Sequence, residues 1–178
     1  MRFPRTALLA ATALLALAGC GGASASSASA DNVTTKLYAA GDRPTAPAIS
    51  EQLLSGGTFS LASERGKVVV LNFWGSWCGP CRAEAADLES TYKATGAAFV
   101  GVNVNDEQDA ADAFISARGI TYPSVFDPAG RVMLAYRNVP PSDVPSTLVI
   151  DASGKIAALH LGPVTAAELT SMIKSAES

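Results

Sequence analysis

Two thiols stand three residues apart in Trp77-Cys78-Gly79-Pro80-Cys81, directly after the apolar run Val68-Val69-Val70-Leu71-Asn72-Phe73-Trp74. The run reads as a buried strand, and a helical stretch follows from Arg82 to about Thr95. A thiol at a helix N-terminus faces unpaired backbone N–H groups and the positive end of the helix dipole, so its thiolate is favoured. The thiolate is the attacking species in disulfide exchange, and a second thiol one turn away can resolve the mixed disulfide that forms. Zinc is the competing use of such a pair, but it asks for about four Cys or His ligands. Beyond this pair the chain offers only Cys20 and His160, so no metal site is expected; a purely structural pair of cysteines is the blandest alternative.

The third cysteine points to a compartment. Arg2 and Arg5 precede the twelve-residue apolar run Ala7–Ala18, which is too short for a bilayer span of roughly 20 residues but suits a signal peptide. The run ends Leu17-Ala18-Gly19-Cys20, which resembles the lipobox of bacterial lipoproteins. That resemblance implies cleavage after residue 19 and a lipid anchor on Cys20, with ordinary secretory cleavage nearby as the alternative. Both readings put the mature chain outside the cytoplasm, where disulfides persist. With Cys20 lipidated, Cys78 and Cys81 are the only free thiols, so no wider disulfide framework is expected.

Composition implies one domain on a leash. Removing Arg2 and Arg5 with the leader leaves 11 basic against 16 acidic residues, a net charge of about −5 with no basic cluster. Such a chain has no electrostatic reason to bind nucleic acid. The Gly, Ala and Ser residues of positions 21–30 have nothing to bury, and 31–50, with Gly41, Pro44 and Pro47, reads as irregular, so positions 20–50 are expected to be a tether. The folded domain is expected over 51–178.

Strand and helix patterns alternate through that domain: a short strand at Thr58–Leu61, the Val68–Trp74 strand, the helix bearing Cys81, and a strand at Ala98–Val104. Asp106 is placed to cap a helix over Glu107–Arg118, closed by Gly119. A short helix at Arg131–Tyr136, strands at Thr147–Asp151 and Ile156–Leu161, and a helix over Thr165–Ser175 complete the pattern. Thr165 and Glu168 suit a capping box on that last helix. Two strands joined by a helix imply a right-handed parallel crossover. The result is an α/β fold, a mixed central sheet flanked by helices.

The Trp-Cys-Gly-Pro-Cys motif between strand and helix, followed by Val144-Pro145-Ser146-Thr147 opening a strand and hairpin, resembles the thioredoxin superfamily. An extra helix and strand between Asp106 and Asp127 resemble the insert of its TlpA/ResA-like branch. So do Gly66–Trp74 before the motif and Arg82-Ala83-Glu84 after it. The resemblance covers residues 52–176. Members of that branch are membrane-tethered, extracytoplasmic thiol–disulfide oxidoreductases, many of them serving cytochrome c maturation.

The resemblance implies roles residue by residue. Cys78 is the exposed attacking thiol and Cys81 the shielded resolving one, while Gly79 and Pro80 set the turn and the redox poise. A cis Pro145 lies beside the dithiol and Val144 pairs with the client backbone, although a plain turn proline is the alternative. Trp77 presents a flat surface to the client, or merely packs. Asn72 stands where thioredoxins commonly carry a buried Asp. Glu84 then becomes the candidate proton acceptor for Cys81, against the alternative of a solvated glutamate paired with a neighbour such as Arg82. His160 reads as a partly exposed strand residue, and Asp106, Glu107, Asp109 and Asp112 as a solvated helix start.

The leading functional expectation is a reductase of extracytoplasmic disulfides, reset by a membrane thiol carrier. No cofactor is expected, and the protein is expected to be monomeric. The alternatives are an oxidase that installs disulfides in secreted proteins and, on the same fold, a copper-binding assembly factor. Copper-binding relatives space their cysteines more widely. A peroxidase is weaker still, since Trp77 and the nearby Cys81 leave no isolated peroxidatic thiol.

Overall fold

A computed structural model describes residues 34–178 of the 178-residue chain. The leader, Cys20 and the start of the expected tether lie outside the described residues. Among the described residues lie eight strands, four α-helices and two short 3-10 turns, Ala40–Asp42 and Leu61–Glu64. The strands are β1 (Thr34–Leu37), β2 (Ser50–Gln52), β3 (Thr58–Ser60), β4 (Val69–Trp74), β5 (Ala98–Val104), β6 (Ser124–Asp127), β7 (Ser146–Ile150) and β8 (Ile156–Leu161). The helices are α1 (Gly79–Ala94), α2 (Gln108–Arg118), α3 (Arg131–Ala135) and α4 (Ala166–Ala176).

Six strands form one sheet in the order β1-β8-β7-β4-β5-β6, and β2 and β3 pair separately. β4, β5 and β6 run parallel through the crossovers that α1 and α2 provide, while β7, β8 and β1 are antiparallel. Alternation along β4 divides the core. Val69, Leu71 and Phe73 pack with Val132 and Met133 of α3 on one face. Val70 packs with Leu88 of α1 and Leu169 and Met172 of α4 on the other. Both faces are covered, which is why β4 is apolar at every position but Asn72 and buried along its whole length. Asn72 and Trp74 share the α1 face with Val70, because side chains two apart along a strand point the same way. Trp74 stacks on Phe114 of α2 there, in the same cluster as both cysteines.

Three expectations are corrected. The segment 31–50 is not an irregular tether throughout. β1 pairs along β8, Ala46 and Ile49 are buried, and Arg43 reaches Asp151 at 3.1 Å and the Ser175 carbonyl at 2.7 Å. All four β1 residues are exposed, so this edge strand leaves no apolar period in the sequence. The active-site helix starts at Gly79, with Cys78 as its N-cap and Pro80 in its first turn, where the missing N–H costs nothing. α2 starts at Gln108 with Glu107 at the N-cap position, because the Asp106 carboxylate is engaged by other donors. The capping box of α4 forms as expected: the Thr165 hydroxyl accepts from the Glu168 N–H, and Glu168 accepts from the Thr165 N–H.

Candidate active site

Cys78 and Cys81 form a disulfide at the start of α1, with Cα atoms 5.3 Å apart. The Cys81 N–H points at Cys78 Sγ from 3.1 Å, so the first cysteine receives one of the helix's free donors, the kind of group that favours a thiolate. Cys78 is not the exposed member of the pair in this state. The two residues are 3 % and 2 % accessible, because Trp74, Ala85, Ala111 and Phe114 pack around the disulfide. What distinguishes them is their neighbourhood: Cys78 Sγ lies 3.6 Å from the Val144 carbonyl oxygen. The Val144–Pro145 peptide is cis. Pro80, Val144, Pro145, Leu161 and Gly162 line a groove of about 210 Å³ beside the disulfide. The Val144 N–H already donates to Ser142, and its side chain is half-buried.

The loop before Cys78 is held by the β5–α2 connection. Asp106 accepts from the Ser76 N–H at 2.6 Å, the Ser76 hydroxyl at 2.7 Å and the Asn103 amide at 2.8 Å. Burial alone would raise its pKa, but these donors outweigh it and hold the carboxyl below the usual aspartate range. The Trp77 ring N–H donates to the Asn105 carbonyl at 3.0 Å, while about half of the residue stays accessible, at 52 %. A side chain at Gly75 would meet that ring at 2.5 Å, so the loop needs glycine there.

Behind the disulfide, α1 turns its inner face to the sheet, and Glu84 lies on that face one turn past Cys81. It is 2 % accessible. Its carboxylate accepts from the Asn72 amide at 2.9 Å and from the Val164 N–H at 2.9 Å. Desolvation by burial exceeds the effect of these donors and pushes its pKa up to about 7. The solvated alternative paired with Arg82 is therefore not what the chain adopts; Arg82 donates to the Ser76 carbonyl instead. Asn72, where an Asp was the family expectation, also donates to Thr147 at 3.1 Å.

His160 is a further correction. It is fully buried, and its two ring nitrogens lie 2.7 Å from the Thr35 hydroxyl and 3.2 Å from the Pro163 carbonyl. The chain turns back from β8 towards α4 at this point, and strand pairing with β1 and β7 encloses the ring. Asp106, Asn103 and the Val164 N–H are site components that sequence reasoning missed. The only available signal was an Asn and an Asp at the end of an otherwise apolar strand.

The Redoxin family profile matches residues 39–175. The chain is 34 % identical over 147 residues to the thiol–disulfide oxidoreductase ResA of Geobacillus kaustophilus, covering 81 % of this chain and 83 % of that one. A DsbF homologue from Corynebacterium diphtheriae is similar in structure, with TM-score 0.75 and 40 % identity over 80 % of this chain and 92 % of its own. A secreted thiol–disulfide isomerase from Corynebacterium glutamicum gives TM-score 0.77 and 31 % identity over 84 % and 96 % of the two chains. These matches, with a disulfide at a helix start on a mixed sheet, agree on one assignment: the chain belongs to the Redoxin family, as an extracytoplasmic thiol–disulfide oxidoreductase of the TlpA/ResA-like branch of the thioredoxin superfamily.

Proposed function

We propose that the protein is a tethered reductase of disulfides in extracytoplasmic proteins, apocytochrome c being the client class. The observation that carries this reading is the enclosed Glu84 carboxyl, poised to take up a proton near pH 7 one helical turn beyond Cys81. In the reduced protein the Cys78 thiolate attacks a client disulfide, forming a mixed disulfide and releasing one client thiolate. Cys81 gives its proton to Glu84 and attacks the Cys78 sulfur. The second client thiolate leaves, and Cys78–Cys81 re-forms. Two electrons pass to the client, and a membrane thiol–disulfide carrier restores the dithiol. Trp77, Val144 and Pro145 receive the client along the groove beside Cys78, and Gly79 and Pro80 tune the potential through the turn they impose.

In the mature form, residues 1–19 are removed and Cys20 carries the lipid of a monomeric protein. A Cys20→Ala variant is expected to move from the membrane to the soluble fraction; if it stays with the membrane, the lipid anchor is wrong. One competing reading is disulfide formation in secreted proteins, the same exchange run in reverse. The reduction potential separates the two. Equilibration with glutathione or dithiothreitol buffers is expected to give about −270 mV or lower, as for a reductant. A value nearer about −120 mV would assign the protein to disulfide formation.

A further inference from the structure

Four polar residues lie side by side across four strands. Thr35 is paired with His160, His160 with Thr147, and Thr147 with Asn72. Residues paired in this way share a face of the sheet, here the face that α1 and α4 cover. The row ends at the Asn72 amide on Glu84. Its one imidazole, the only histidine of the chain, has no direct bond to that carboxyl.

It reaches Glu84 through a single peptide group. The Pro163 carbonyl and the Val164 N–H belong to the same planar unit, and a rotation that moves one must move the other. The carbonyl lies 3.2 Å from His160 Nε2, and the N–H donates to Glu84 at 2.9 Å. A carbonyl can only accept, so Nε2 carries the proton, and the Thr35 hydroxyl can serve Nδ1 as donor or acceptor. A donor on the carbonyl also strengthens the N–H across the plane, since hydrogen bonds in a chain polarise one another.

We propose that His160 is a positioning residue for Glu84: by holding the Pro163 carbonyl it fixes the rotation of the Pro163–Val164 peptide, and with it the N–H that the Glu84 carboxylate receives. Its bearing on exchange rests on Glu84 acting as the proton acceptor. The other ionisable groups nearby are Glu168 of α4 towards His160, and Asp87 of α1 and Tyr122 of the α2–β6 connection towards Glu84. All three remain in the variants below. β1 and β7 contribute only the hydroxyls of Thr35 and Thr147.

The test is a pH titration of the Glu84 side-chain carboxyl carbon by NMR in the oxidised protein. The unmodified chain is expected to titrate at about 7. Misplacing a donor destabilises the charged carboxylate, so His160→Phe is expected to raise the midpoint by about half a pH unit or more. His160→Gln, which keeps a side-chain N–H, should fall between the two. A folded His160→Phe protein with an unmoved midpoint would overturn the proposal. If that variant does not fold, the unmodified protein decides. The histidine Nε2 and Pro163 carbonyl resonances should then both step at the Glu84 midpoint, and the step should vanish in Glu84→Gln; no step means no linkage. These titrations involve no exchange chemistry. If Glu84→Gln leaves the pH profile of exchange unaltered, the proton-acceptor reading fails while the His160 result still stands on its own.

Discussion

Two carboxyl groups flank the disulfide, Asp106 on the β5–α2 connection that holds the loop in front and Glu84 on the helix face behind, and the fold gives them opposite environments. Asp106, half-buried, collects Ser76, Asn103 and the Glu107 N–H and is held as an anion below the usual aspartate range. Glu84, nearly inaccessible, collects two donors against a larger desolvation that pushes its pKa up to about 7. The balance between donors and burial, rather than the kind of acid, decides which carboxyl fixes a loop and which can move a proton. The Asn72 amide donates to Glu84 and so helps orient its carboxylate.

The largest effect should come from removing the sulfur that both regions serve. Cys78→Ala is expected to abolish disulfide exchange in an insulin-reduction assay, and retained activity would break the mechanism for either carboxyl. Next is Glu84→Gln. Between the ordinary glutamate value of 4.5 and about 7, the folded Glu84 keeps a proton that the unfolded chain has released. Stability of the unmodified protein should therefore fall as pH rises through that window, by about 3 kcal/mol in all. Urea unfolding at pH 5 and pH 8 should show this loss flattened in Glu84→Gln; an equal loss in both proteins would show that Glu84 is not the group titrating.

Asp106 should behave in the reverse sense. Its folded pKa is depressed, so its contribution is present above the unfolded value of 3.8 and lost as pH falls through the folded one. Asp106→Ala is expected to cost about 2 kcal/mol at pH 7 and much less in acid. Combining it with Ser76→Ala should reveal non-additivity, and strict additivity would mean that the Ser76 bonds are not what the carboxylate contributes. The smallest stability effect belongs to Trp77→Ala, expected within about 1 kcal/mol because half the residue already meets solvent. Its consequence should appear as slower reduction of protein disulfides with unchanged reduction of small ones. A variant equally fast on both would leave Trp77 as a loop anchor alone.

Much of this arrangement was legible before any coordinates. The apolar run, the Cys-Gly-Pro-Cys spacing and the Gly119 and Thr165 caps act over a few residues, and each formed as read. Boundaries failed where no burial period exists. β1 is exposed along its whole length, so its pairing with β8 has no signature in hydropathy. Asp before a helical stretch suits a cap, but Ser76, thirty residues away, claims the Asp106 carboxylate.

The sequence by itself determined the chemistry: two thiols one turn apart at the end of a buried strand, and an acid three residues on. These are local facts of spacing, set by helix and strand geometry. Only the tertiary structure decided how that chemistry is tuned. Whether Glu84 meets water or a backbone N–H depends on Val164, eighty residues away, and the rotation of that peptide depends on a histidine enclosed by the edge strand. Desolvation and donor placement arise from packing between distant segments, and a pattern read along one segment does not contain them.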